Sequence, residues 1–176
     1  METAIVSVMC IALIVVGGMT MSQGFLSSAD STMVGVEELS VRDGEILRTE
    51  LALLTTEVGG AGKYLDVSLR NSGQVKLASF SKWDVIVEYY GQNGGYFITW
   101  LAYTDGTPGN NQWTVDGIYL SSENLTAEVF EPGILNPGEE MVVEANLDPR
   151  VRNNTAGDVV ISTPNGVSAL TGFFRG

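Results

Sequence analysis

Side chains in this sequence could do chemistry at the acidic pair Glu139-Glu140, the oxygen-rich stretch DGTPGNNQWTVD from Asp105 to Asp116, and the Asn-x-Thr triplets at Asn124 and Asn153. Paired carboxylates serve general acid and base work when their environments split their pKa values around one reacting atom. Neighbours along a strand point to opposite faces, so Glu139 and Glu140 in LNPGEEMVVEANL read as the wet exit of an NPG turn leading into a strand. The oxygens of 105–116 suit Ca²⁺, but the spacing lacks the closing Glu of an EF-hand loop and reads as a turn. Asn124-Leu-Thr and Asn153-Asn-Thr match the N-glycosylation acceptor pattern and fall in expected loops or strand ends. The chain has no His, which removes the commonest general base and transition-metal ligand, and it has no nucleophile-elbow motif. Its one cysteine, Cys10, cannot close an intrachain disulfide and sits in an apolar run, where it packs as a small hydrophobe. Without a basic segment ahead of it, Cys10 does not read as a lipobox cysteine. No catalytic residue, metal ligand set or cofactor is expected, and the chain is not expected to be an enzyme.

The 176 residues hold one ordinary domain plus an appendage. The formal charge is −12, from 9 Lys and Arg against 21 Asp and Glu, so a phosphate backbone is repelled and nucleic acid is excluded as a partner. All nine basic residues lie at or after Arg42, and none lies between Lys82 and Arg150. Asp84, Glu88, Glu139, Glu140 and Asp148 fall in that gap, which predicts a head with a one-signed face.

The run AIVSVMCIALIVVGGMTM from Ala4 to Met21 has neither charge nor Pro. At roughly 1.5 Å per residue it makes a helix of near-membrane length. The basic flanks of a signal peptide or a permanent anchor are missing. A helix that is apolar all round must be buried in lipid or against other apolar helices. Ala4, Ser7, Ala12, Gly17 and Gly18 let helix backbones approach closely, and the glycine pair marks a bend or a tight contact. Ile5, Val8, Ile11, Leu13, Val15 and Val16 are the expected packing residues. After Met21 polarity rises through SQGFLSSADSTM, with Phe25, Leu26 and Met33 keeping one face apolar in an amphipathic extension or short linker. Residues 1–35 are thus the helix and linker, and 36–176 the head.

Beyond Glu37 the pattern changes to period two. Leu65, Val67 and Leu69 alternate with polar residues, as do Trp83, Val85, Val87 and Tyr89 with Asp84, Ile86 and Glu88. Further strands are expected at 46–56, 96–103, 113–120, 141–147, 159–163 and 167–173. Gly, Asn and Pro punctuate them at 59–62, 71–73, 91–95, 105–111, 136–138 and 164–166. The fold class expected is α+β: a long N-terminal hydrophobic helix followed by an all-β, Ig-like antiparallel sandwich.

An apolar N-terminal helix joined to an all-β head resembles the mature subunits of the archaellin and type IV pilin superfamily. The segments YLDVSLRNSGQVKLASFSKWDVIVEYY, LNPGEEMVV and STPNGVSAL are similar to archaellin head segments. Type IV pilins place Glu at the fifth mature position, where this chain has Ile5, with Glu2 its only early acid. The resemblance implies a basic leader removed by a prepilin-type peptidase, and delivery by a membrane assembly machinery. It further implies a homopolymeric extracellular filament serving motility, whose helices form the core and whose heads form the surface. Two alternatives stay open: an adhesive type IV pilus subunit, and a membrane-anchored binding sandwich such as an archaellum stator component or a minor pilin. A tethered hydrolase would need a Ser-Lys or paired-carboxylate arrangement, which the sequence does not display.

Overall fold

The computed structural model describes every residue except Met1, Leu125 and Val129, and of residues 2–4 and 25–38 it describes the backbone alone. The side chains of Glu2, Ala4, Phe25, Leu26 and Met33 therefore lie outside the described residues. The chain forms two compact units, Met1–Gly44 and Glu45–Gly176.

Helix α1 runs from Glu2 to Arg48. It continues past residue 35, where the sequence pattern places the end of the helical segment, because 22–48 contains no Pro and only isolated glycines, and polarity alone does not break a helix. The helix also takes Ile46 to Arg48, which the period-two pattern assigns to the first strand. It closes where the Thr49 amide donates to the Ile46 carbonyl at 3.1 Å and the Thr49 hydroxyl to the Glu45 carbonyl at 2.8 Å.

Among the described residues nine strands follow: β1 Leu51–Gly59, β2 Tyr64–Asn71, β3 Asp84–Tyr90, β4 Tyr96–Tyr103, β5 Gln112–Ser121, β6 Thr126–Ala127, β7 Glu140–Asn146, β8 Thr155–Ser162 and β9 Ser168–Arg175. The order β1-β2-β7-β5-β4-β3-β8-β9, with β6 beside β5, is antiparallel except at β4 and β5. Those two strands pair in parallel over only Ala102↔Gln112 and Tyr103↔Trp113. That short corner divides the strands into a first sheet, β1-β2-β7-β5-β6, and a second, β4-β3-β8-β9, whose inner faces share one core.

The inward positions are those the alternation predicts. Leu65, Val67 and Leu69 of β2, Val85, Val87 and Tyr89 of β3, and Met141, Val143 and Ala145 of β7 are all buried. Trp83 and Trp113 fill the space between the sheets, each worth roughly 1.5–3 kcal/mol or more of transfer free energy. Gly157 on β8 faces the β3 backbone, and a Cβ there would stand 2.5 Å from the Glu88 carbonyl, too close for any side chain.

A hydrogen-bonded clamp holds the start of β1. The Gln74 amide donates to the Arg48 carbonyl at 2.7 Å, and the Ser72 and Gly73 amides donate to the Glu50 carbonyl at 3.0 and 3.2 Å. Asn165, from the turn before β9, donates its amide to the Thr49 hydroxyl at 2.8 Å. The buried Asn71 ties the clamp to the core, donating to the carbonyls of Val75 and Leu135 while its oxygen accepts the Gly73 amide.

Candidate assembly surfaces

Three surfaces present chemistry. The first is α1, where Ile5, Val8, Ile11, Leu13, Val15 and Val16 are each at least 51% exposed. Val6, Met9 and Ile14 are exposed too, so apolar side chains surround the helix on every side. Ile5–Gly24 is long and apolar enough to cross a membrane, with a mean hydropathy of 2.3 and none of it buried. A Cβ at Gly17 or Gly18 would meet no atom within 4 Å, so both sites are open to close approach by another helix. Cys10 is a free, exposed thiol within this segment.

The second surface is a cleft of about 720 Å³ on the outer face of the first sheet. Cross-strand pairing sets Glu57 opposite Asp66 and Asp66 opposite Glu144, and the β5 bulge between Val115 and Gly117 adds Asp116. Burial pushes the Asp66 carboxyl above its usual range, and Glu144, Asp116 and Glu57 push it further. Among the described residues no three such groups are gathered as a metal would need.

Glu139 and Glu140 are not the wet exit that the sequence suggests: they are 5% and 4% exposed. Glu140 accepts the Arg70 Nε at 3.1 Å, a second bond from Arg70 Nη2, and the Ser122 amide and hydroxyl at 2.7 and 2.6 Å. Burial alone would raise its pKa, but the Ser122 donors and Arg70 outweigh burial and hold it below the ordinary carboxylate value. Glu139 instead caps its own turn, accepting the Asn136 amide at 2.8 Å and the Asn136 Nδ2 at 3.1 Å. The two carboxylates take separate partners and share no site.

The third surface is the outer face of the second sheet, which the sequence reading overlooked. Trp100, Ile86, Val160 and Leu170 stand directly opposite one another across β4, β3, β8 and β9, forming an apolar row over four strands. Ile98 and the tilted pair Tyr90–Tyr96, with ring centroids 5.1 Å apart, flank that row. Trp100 Nε1 donates to Asp84 at 2.9 Å and the Tyr96 hydroxyl to Glu88 at 2.8 Å, so both rings lean over β3. The bond to Glu88 raises the Tyr96 pKa. The signal was present in YFITWLAY, where both parities are apolar and so both faces of the strand are.

The loop of 105–111 is a turn fastened by Gly109 to Gln112 and by Asn110 Nδ2 to Asp148, and only Asp116 of the stretch reaches the acidic cleft. Asn124 and Asn153 both sit in exposed turns, Asn124 beside Leu125 outside the described residues.

No protein-family profile matches the chain. An uncharacterised protein of Archaeoglobus fulgidus is 25% identical over 169 residues, covering 94% of this chain and 91% of its own length. The archaellum periplasmic stator protein FlaG from Sulfolobus acidocaldarius has a similar fold, with a TM-score of 0.50 at 20% identity, over 71% of this chain and 99% of that one. A chain of the archaeal flagellum of Methanospirillum hungatei strain JF1 has a similar fold over 96% of this chain and 90% of its own, with a TM-score of 0.58 at 13% identity. In fold, the chain is similar to archaellum components.

Proposed function

We propose that this chain is a structural subunit of an archaellum-like extracellular filament serving motility, and that its role is not enzymatic. The observation that carries the reading is the helix Ile5–Gly24, apolar on all sides and unburied. Such a surface is stable only in lipid or packed against its like, and a filament subunit uses both in turn. Before assembly the helix sits in the cytoplasmic membrane, where a prepilin-type peptidase and the assembly machinery act on the chain. Afterwards Ile5, Val8, Ile11, Leu13, Val15 and Val16 pack into the filament core and the sandwich faces outward. The likeness to the Methanospirillum hungatei flagellum chain, which extends over 96% of this chain, supports this reading. An adhesive filament would use the same packing.

One observation favours a second reading, a membrane-anchored stator-like protein. Nearly the whole of the Sulfolobus acidocaldarius FlaG chain, 99%, matches this one. Electron microscopy of filaments sheared from native cells, with mass spectrometry of their protein, separates the two. The filament reading expects this chain as the dominant component. Filaments lacking it, with the chain retained in membranes, would turn the assignment to the anchored module.

A further inference from the structure

We propose that neighbouring copies of this chain dock head to head, the basic end of one sandwich against the acidic aromatic face of the next; the inference rests on the filament reading. The face is the outer side of β3, β4, β8 and β9. Its outward positions hold the carboxylates Asp84, Glu88 and Asp158 around the Trp100-to-Leu170 row, and no Lys or Arg. None of the three carboxylates forms an ion pair among the described residues. An apolar row rich in Trp and Tyr inside a charged rim is the composition of a protein interface.

The complementary patch lies at one end of the same sandwich. Arg175 donates through Nη1 to the Val151 carbonyl, the Val151 amide donates to Gly62 at 2.8 Å, and the Leu147 amide donates to Lys63 at 2.7 Å. The Arg152 amide donates to Tyr90 at 2.8 Å. The Gln92 amide donates to the Arg150 carbonyl at 2.9 Å, and together these contacts gather Lys63, Arg150, Arg152 and Arg175 beside the β3–β4 turn. Four of the nine basic residues thus share one end of the head.

Charge selects the arrangement. Face against face would set Asp84, Glu88 and Asp158 of one copy against those of another, and like charges across an interface are repelled. End against face pairs opposite signs and buries the aromatic row. The contact uses two different patches, so it is heterologous and leaves a free patch at each end, and it builds an open helical polymer when its rotation does not close into a ring.

The test uses the full chain in detergent micelles, mixed from ¹⁴N and ¹⁵N preparations and treated with a zero-length carbodiimide cross-linker. Mixed-isotope links from Lys63 to Asp84, Glu88 or Asp158 are expected. The double variant Glu88→Lys, Asp158→Lys should lower their yield about tenfold, and adding Arg150→Glu and Arg152→Glu in the same chain should restore cross-linked dimers. Unchanged circular dichroism of each variant separates lost docking from lost folding. Mixed links confined to other residues, or dimers indifferent to the charge reversal, overturn the docking. If native filaments contain the chain while these links are absent, only the docking falls; if the links form and native filaments lack the chain, only the filament reading falls.

Discussion

Glu140 shows how one buried carboxylate fastens three strands. It joins Arg70 on β2 to Ser122 beyond β5, and its folded pKa lies below the ordinary 4.5. A depressed pKa contributes stability that is present above the unfolded value and is lost as pH falls through the folded one. Glu140→Gln should therefore cost about 1–3 kcal/mol at neutral pH, and that difference should shrink on acidification below 4.5. Asp66 has the opposite sign. Its pKa is raised, so its charge opposes folding at neutral pH, and Asp66→Asn should stabilise by about 0.2–1 kcal/mol. Its raised pKa means that the parent's Asp66 takes up its proton before it would in the unfolded chain, so the gain should shrink as pH falls towards 3.8 and be gone below it. Thermal denaturation of the three proteins across the acid range checks both signs. The sequence did not disclose the burial of Glu139 and Glu140, because their partners Arg70, Ser122 and Asn136 are brought together only by sheet pairing and by the local turn.

At the level of elements, period-two alternation located eight of the strands because a half-buried strand writes its geometry directly into residue type. The pattern missed β6, whose two residues are too short to show any period. It also ended the helix early. Apolar residues close to a strand can belong to the helix before it, as Ile46 and Leu47 do before Leu51, and only the closing hydrogen bonds at Thr49 fix the boundary. Apolar content marked Ile5–Gly24 without marking its neighbour, since lipid and a second helix favour the same side chains. Ile11→Asp places a charge in the middle of that surface. It should abolish filaments while leaving the head folded, seen as loss of filaments by electron microscopy with the near-ultraviolet signal of Trp83 and Trp113 retained. Filaments that persist with Asp at this position would sink the packing model.

For the whole molecule, the net charge of −12 makes copies of the chain repel one another, and the proposed docking works against that repulsion through the basic patch. Neutralising that charge should promote indiscriminate association: turbidity should peak near the isoelectric point of about 4.2 and clear at pH 7. The excess of acids is legible in composition, whereas the basic end does not show in the sequence, because Lys63, Arg150, Arg152 and Arg175 are scattered along the chain and converge only in the fold.

The clamp around Arg48 to Glu50 bears on mechanics. A pull entering β1 from α1 arrives at Leu51, the open end of the β1–β2 ladder, where bonds would break singly and in turn, like a zip. The Gln74, Ser72, Gly73 and Asn165 donors grip the backbone and Thr49 just ahead of that point, so tension must break several bonds at once and spreads into β2 and β9 before peeling can start. In the proposed filament, where a head would be loaded through its helix, the clamp would be tougher than the strand behind it.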